Sequence, residues 1–222
     1  MIPSFAVGRT QEILFLLAEL ERQGRIPEVP VILDSPMAQS ATKIFFRHPE
    51  DHIFDQAFGP TREELFPRFF EESASRDDSM LATMRDDPKI IVAGAGMVTG
   101  GRILHHLKRR LPDPRHGVLF VGYQAEGSKG RYLLDQGRAN GSIRIHHAEI
   151  PIEAEIFQVS GLSAHGDYED LMEWVSRFHQ LPKKVYLNHG SPTAMEAFAE
   201  KLRSRFHVEV QIARNGESFS WA

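Results

Sequence analysis

The sequence contains no cysteine. Disulfides and thiolate metal sites are thereby excluded, and any metal ion must be held by histidine, aspartate or glutamate. Long hydrophobic runs are also missing: no apolar stretch nears the roughly 18 residues that a membrane-spanning helix needs. The opening MIPSFAVGRTQE has no basic segment leading into an apolar one, so no signal peptide is read, and the expected location is cytoplasmic. Basic charge is not in excess either, the formal net charge being −4 with histidine neutral. That removes a global signature of nucleic-acid binding while leaving room for a local patch. The densest basic stretch, HHLKRRLPDPRH (105–116), reads as a solvated helix face and loop. No G-x-S-x-G elbow is present, which argues against an α/β serine hydrolase, and no Walker loop ends in Lys-Ser or Lys-Thr.

What is present alternates between strand-like and helix-like patterns. In RTQEILFLLAEL, Ile13, Leu16, Leu17 and Leu20 share one helical face. VPVILD (29–34) reads as a buried strand, followed by a helix with Ser35 as N-cap and Pro36 at its first position. KIIVAG (89–94) is the next strand, and a glycine-rich turn leads from it to a helix carrying Ile103, Leu104, Leu107 and Leu111. GVLFVGY (117–123) is another strand. Short apolar strands alternating with helices predict an α/β fold with a mostly parallel sheet covered on both faces. The polar stretch 55–85 shows little periodicity and reads as a helical or loop excursion. After about residue 150 the pattern becomes AEIFQVSG, the helix YEDLMEWVSRFHQL, KKVYLNHG, the helix PTAMEAFAEKLRSRF and VEVQIA. So short a tail is small for an independent domain.

Two histidines stand just past strand ends, His165 in GLSAHGDYEDL and His189 in YLNHGS. Ligands of open α/β sheets bind at such ends. On residues alone, His165 can be a metal ligand, a proton donor or the neighbour of a helix cap. The turns GAGMVTGGR (94–102) and GYQAEGSKGR (122–131) are candidate phosphate cradles, with Lys129 and Arg131 as phosphate partners; both can equally be tight strand-to-helix turns.

In order, IPSFAVGRTQEIL, GAGMVTGGRILHHL, GYQAEGSKGRYLLDQG, GLSAHGDYEDL and LNHGS resemble the β-CASP branch of the metallo-β-lactamase superfamily. That branch comprises RNA-processing nucleases, among them bacterial and archaeal RNA-degrading enzymes and the endonuclease of the cleavage and polyadenylation factor. The resemblance runs over nearly the whole chain. It implies a β-CASP domain at 1–153 and, at 154–222, the C-terminal strand-helix segment of a metallo-β-lactamase αββα sandwich, the RNA-metabolising motif region. The family's Ser-Ala-His-x-Asp turn matches Ser163, Ala164, His165 and Asp167, and its last His-Gly motif matches His189 and Gly190. The resemblance implies catalytic roles for His165 and Asp167, with His165 protonating the leaving oxygen, and makes His189 a zinc ligand. Phosphodiester hydrolysis needs a metal-activated hydroxide and a proton for the departing oxygen, and histidine serves either need. Arg9, Gly100, Gly101, Lys129, Arg131 and Ser163 would then touch the RNA backbone.

Two departures stand out. Ser191 follows His-Gly where the family usually has glutamate, and neither H-x-H-x-D-H nor the later bridging aspartate is found. A two-metal site takes on the order of six or seven protein ligands, and this chain supplies one. The expectation is therefore the C-terminal part of a longer zinc-dependent ribonuclease, inactive alone, with a role in mRNA 3′-end processing or RNA degradation. Its partners are then RNA and the missing N-terminal metallo-β-lactamase half, with a homodimer left open and no membrane. The alternatives are a non-catalytic RNA-binding or scaffold relative and, outside the family, a nucleotide- or sugar-phosphate-binding α/β protein using the 94–102 turn.

Overall fold

The computed structural model describes residues 1–48, 51, 66–137, 141–163 and 165–219. The chain separates into two compact units, Met1–Ser163 and Ala164–Ala222.

In the first unit, β1 (Ile2–Pro3), β2 (Val31–Asp34), β3 (Phe70–Glu72) and β4 (Ile90–Ala93) form a parallel sheet in the order β1-β4-β2-β3. β5 (Gly117–Phe120) continues the row beyond β1, with Leu119 N–H donating to the Met1 carbonyl at 2.9 Å. β6 (Ser142–Ile145) and β7 (Ala148–Pro151) form an antiparallel hairpin, and β8 (Glu155–Gln158) pairs in parallel with β5. The helices are α1 (Arg9–Arg22), α2 (Pro36–Arg47), α3 (Arg76–Met84), α4 (Ile103–Arg110) and α5 (Lys129–Gln136).

The buried runs VILD and IIVA suit strands covered on both faces. Val92 of β4 packs with Ile13, Leu14 and Leu17 of α1, whereas its neighbours Ile91 and Ala93 pack with Ile103, Leu104 and Leu107 of α4. Alternate side chains of a strand point to opposite faces, so α1 and α4 cover opposite sides of the sheet. β1 feeds α1 and β4 feeds α4, and these two strands are neighbours. The chain thus reverses its winding between them, which makes a crevice at their carboxyl ends.

Three features depart from the sequence reading. Part of the 55–85 stretch is strand: β3 pairs with β2 through Val31 and Phe70, and its three residues, two of them glutamates, are too few to show alternation. Residues 55–65 of that stretch lie outside the described residues. The β6–β7 hairpin also escaped prediction. Its turn is made by His146 and His147 at φ 46° and 66°, where a two-residue hairpin usually advertises itself by Asn-Gly or Asp-Gly. Finally, 105–116 is not simply a solvated face, because His106 and Arg110 within it are 0% and 4% exposed.

The second unit contains α6 (Tyr168–Ser176), β9 (Lys184–Leu187), α7 (Pro192–Phe206) and β10 (Glu209–Ile212). β9 and β10 pair in parallel with α7 connecting them, and Met172, Val175, Ala199, Leu202, Val208 and Val210 form the core. The division between these compact units follows β8, which pairs with β5.

Candidate functional site

At the carboxyl end of β4, the turn 94–102 folds back on itself. Ala95 N–H donates to the Gly100 carbonyl at 3.2 Å and Ile103 N–H to the Gly94 carbonyl at 3.1 Å. Gly101 sits at φ 78°, and a Cβ there would lie 2.4 Å from the Gly94 oxygen, so only glycine fits. Gly100 faces open space instead. The second glycine turn, after β5, is braced to the first. Gln124 is 3% exposed, and its Nε2 donates to the Gly96 carbonyl at 2.9 Å and to the Gly122 carbonyl at 3.2 Å. Gly130 N–H, at the start of α5, donates to the Met97 carbonyl at 3.1 Å. Ser128 caps α5 by accepting from Arg131 N–H at 3.1 Å.

The cations expected to meet phosphate are differently placed. The Arg9 guanidinium is committed internally, to the Glu12 carboxylate and the Leu162 carbonyl. Arg131 pairs with Asp135 at 2.9 Å across one turn of α5. Lys129 is half-buried and has no ion pair among the described residues.

Beneath the first turn lies a buried polar network that sequence reasoning missed. Asp34, at the end of β2, is fully buried. Arg102 Nη1 donates to its Oδ1 at 2.8 Å, while Ser79 Oγ at 2.7 Å and His106 Nε2 at 2.6 Å meet its Oδ2. Arg102 also donates to the Ser73 carbonyl at 2.9 Å, so the last residue of the glycine turn is tied to β2 and to the chain after β3. On the far side of the ring, His106 Nδ1 faces Thr83 Oγ1 at 3.3 Å and Arg110 Nη1 at 3.4 Å. A guanidinium can only donate, so Nδ1 is the acceptor and the neutral ring carries its proton on Nε2, toward Asp34. Burial is the largest influence on His106 and holds its pKa below the usual value against the upward pull of Asp34, and Arg110 adds to the lowering. Burial pushes the Asp34 carboxyl up, but the hydrogen bonds from His106, Ser79 and Arg102 together outweigh it and the net direction is down. The i, i+4 pair His106 and Arg110 on α4, flanked by apolar Leu107 and Leu111, was the available signal; it was hidden by the charge of the surrounding residues.

In the second unit both histidines occupy short, fixed turns. Asp167 is the N-cap of α6: its Oδ1 accepts from Glu169 N–H at 2.8 Å and Asp170 N–H at 3.0 Å, and Asp170 Oδ2 accepts from Asp167 N–H at 2.9 Å. This reciprocal cap starts the helix two residues after the exposed His165. Ser163, also exposed, closes the first unit. His189 follows β9 at φ 66°, a left-handed conformation uncommon outside glycine and often found at functional sites. Its N–H is held by Asn188 Oδ1 at 2.8 Å. Gly190 has no room for a side chain, since a Cβ would lie 2.8 Å from Met195 Cγ. Ser191 caps α7 by accepting from Ala194 N–H at 3.3 Å. Among the described residues, no group of three or more histidines, aspartates or glutamates is placed to hold a metal ion. These residues do not by themselves fit a zinc centre, and no chemical step is derived through one.

A parallel sheet with a glycine-lined crevice at its winding reversal, followed by a unit presenting two fixed histidine turns, defines an α/β protein. Family comparison makes this specific. The model for the Beta-Casp domain matches residues 10–133, and that for the Zn-dependent metallo-hydrolase RNA specificity domain matches residues 149–213. The chain belongs to the β-CASP family of metallo-β-lactamase-type proteins. It is 35% identical over 223 residues to Ribonuclease TTHA0252 of Thermus thermophilus, covering 98% of this chain and 48% of that protein. It is 33% identical over 227 residues to Transcription termination factor FttA of Methanosarcina mazei, covering 98% of this chain and 35% of that protein. The FttA of Methanocaldococcus jannaschii is 32% identical over 228 residues. The chain therefore spans between about a third and about half of the length of these relatives.

Proposed function

We propose that the chain is the RNA-binding and C-terminal part of a metal-dependent ribonuclease acting in RNA processing or decay. The observation that carries this reading is the pair of exposed histidines in the second unit, each fixed in a turn beside a capped helix and each within the matched RNA specificity domain. The resemblance of their turns to the family's motifs supports catalytic roles. His165 is assigned the proton for the departing ribose oxygen. His189 is assigned one ligand position at a zinc site whose other ligands come from polypeptide outside this stretch. Asp167 acts by holding the turn that carries His165. The glycine turns of the first unit, with Gly100, Gly101, Lys129 and Ser163, guide the RNA backbone. Cytoplasmic action belongs to the same reading, as does the 1–153 and 154–222 division into an inserted β-CASP domain and a returning metallo-β-lactamase segment.

In the whole protein, His165→Ala is expected to lower RNA cleavage by about 100-fold or more, the usual worth of a positioned acid, while zinc content stays the same. His189→Ala is expected to lower both cleavage and zinc content. Cleavage by single turnover and zinc by elemental analysis decide the matter: if the two variants behave alike, the division of roles is wrong. Whole protein that binds RNA but does not cleave it, with or without zinc, identifies a non-catalytic scaffold instead.

A further inference from the structure

We infer that the ring of Phe5 is the floor of a nucleobase subsite, on which one unpaired base of the bound strand stacks; this rests on the RNA-directed reading above. Phe5 follows β1, which lies between β4 and β5, so the residue sits at the crevice where the sheet reverses its winding. It is 42% exposed although its surroundings hold it closely. A Cβ on Gly96 would stand 2.8 Å from Phe5 Cδ2, and one on Gly122 would stand 3.6 Å from Cε2. The ring therefore lies against the bare backbone of both glycine turns, and residue 96 must be glycine for the ring to be there.

The support beneath the ring is rigid. Gln124 joins Gly96 to Gly122, the two glycines on which the ring rests. Its Oε1 occupies the position of a side chain at residue 130, where a Cβ would come within 1.7 Å. The Phe5 carbonyl is fixed by Thr10, whose Oγ1 donates to it at 2.7 Å. A partly exposed aromatic ring held in one orientation at a ligand-binding edge is what base stacking requires, since stacking gains most when the platform is ordered beforehand. Tyr123, next to Gly122 and 66% exposed, puts a second aromatic on the same turn.

The ring offers an apolar face, which suits a base and not a phosphate. Arg9 nearby is committed to Glu12 and Leu162, so contacts to the backbone fall to groups such as Lys129 at the start of α5. Stacking accepts any base, which suits a nuclease with weak sequence preference.

The test is an abasic scan in the whole protein, using a single-stranded 2′-O-methyl oligoribonucleotide of about 12 nucleotides, within the usual single-strand site sizes. Removing the base at one position should weaken binding by between about 5-fold and about 150-fold, the measured range for base–aromatic stacking. Phe5→Leu keeps an apolar side chain on the two glycines but cannot stack, so the penalty at that position should vanish. Phe5→Tyr should retain it. A penalty that persists in Phe5→Leu overturns the subsite, as does the lack of any such position in a protein that binds RNA. A lower melting temperature for Phe5→Leu with the abasic profile unchanged makes the ring a packing cover for another part of the polypeptide, and overturns the subsite too. Absence of RNA binding by the whole protein overturns the underlying reading, and the subsite with it.

Discussion

Replacing Asp34 by asparagine tests the buried network without changing its shape. In the native arrangement Oδ1 serves Arg102 and Oδ2 serves both Ser79 and His106. Asparagine keeps one oxygen, for Arg102, and turns an NH2 group toward the other two. Ser79 can adjust by accepting instead of donating. His106 cannot: reversing its tautomer would place an N–H on Nδ1 against Arg110 Nη1, 3.4 Å away. The substitution thus leaves two donors facing each other in a fully buried site and removes the counter-charge of Arg102. Removing one partner of a buried ion pair costs about 3–5 kcal/mol. The lower end applies, because the Arg102 side chain is 22% exposed and keeps one acceptor. For a folding unit of this size each kcal/mol moves the melting temperature by about 2–4 °C, so a cost of about 3 kcal/mol lowers it by about 6–12 °C. Scanning calorimetry at neutral pH measures this, and a shift below about 2 °C would refute the network's role. Acid adds a second check. Both His106 and Asp34 have folded pKa values below their ordinary ones of 6.5 and 3.8, so the unfolded chain takes up protons more readily. Stability is then complete above the histidine value, declines as pH falls below about 6.5, and declines again below the carboxylate value. In Asp34→Asn the share of the carboxylate decline due to Asp34 is expected to be lost, leaving that of other lowered carboxylates such as Asp78 and Asp87.

Two contrasts probe the turns. Gly101→Ala meets both a positive φ and the Gly94 oxygen and should lower the melting temperature by several degrees, whereas Gly100→Ala points into open space and should leave it nearly unchanged; equal effects would contradict the geometry. Asp167→Ala should cost about 1 kcal/mol of stability through the lost cap and should slow RNA cleavage by the whole protein. Asp167→Asn keeps the cap and should keep both. Lost cleavage in Asp167→Asn with unchanged unfolding would show that the carboxylate itself takes part in the chemistry.

Much of this arrangement was legible in advance, for identifiable reasons. The strands VILD and IIVA are short, apolar and followed by turn residues, and such runs fit few structures other than covered parallel strands. Ser35-Pro36 is a local signal whose hydrogen bond closes within three residues, so it forms as read, and the caps at Ser191 and Asp167 close as locally although they were not singled out in the sequence. The His165 and His189 motifs could be located because each is a compact turn. β3 and the β6–β7 hairpin were invisible because their pairing is decided elsewhere: β3 is an edge of three residues recruited by β2, and the hairpin turns on two histidines in the left-handed region.

The buried network shows where charge counting fails. A basic run suggests solvent, and Lys108 and Arg109 are indeed exposed. His106 and Arg110, four residues apart and so on one face of α4, turn inward with Leu107 and Leu111. Arg110 reaches the Ala82 and Arg85 carbonyls, and His106 meets a carboxylate 72 residues earlier in the chain. No local pattern could name that partner. The same reasoning separates Phe5 from an ordinary core aromatic: its environment is set by Gly96 and Gly122, in the turns after two other strands, and the glycines that read as phosphate cradles are shaped in part by the ring that rests on them. A glycine-rich turn in an α/β sheet therefore identifies a place where something approaches the backbone closely. At Gly96 the approaching group is a side chain of the protein itself, and the ligand surface that results is aromatic.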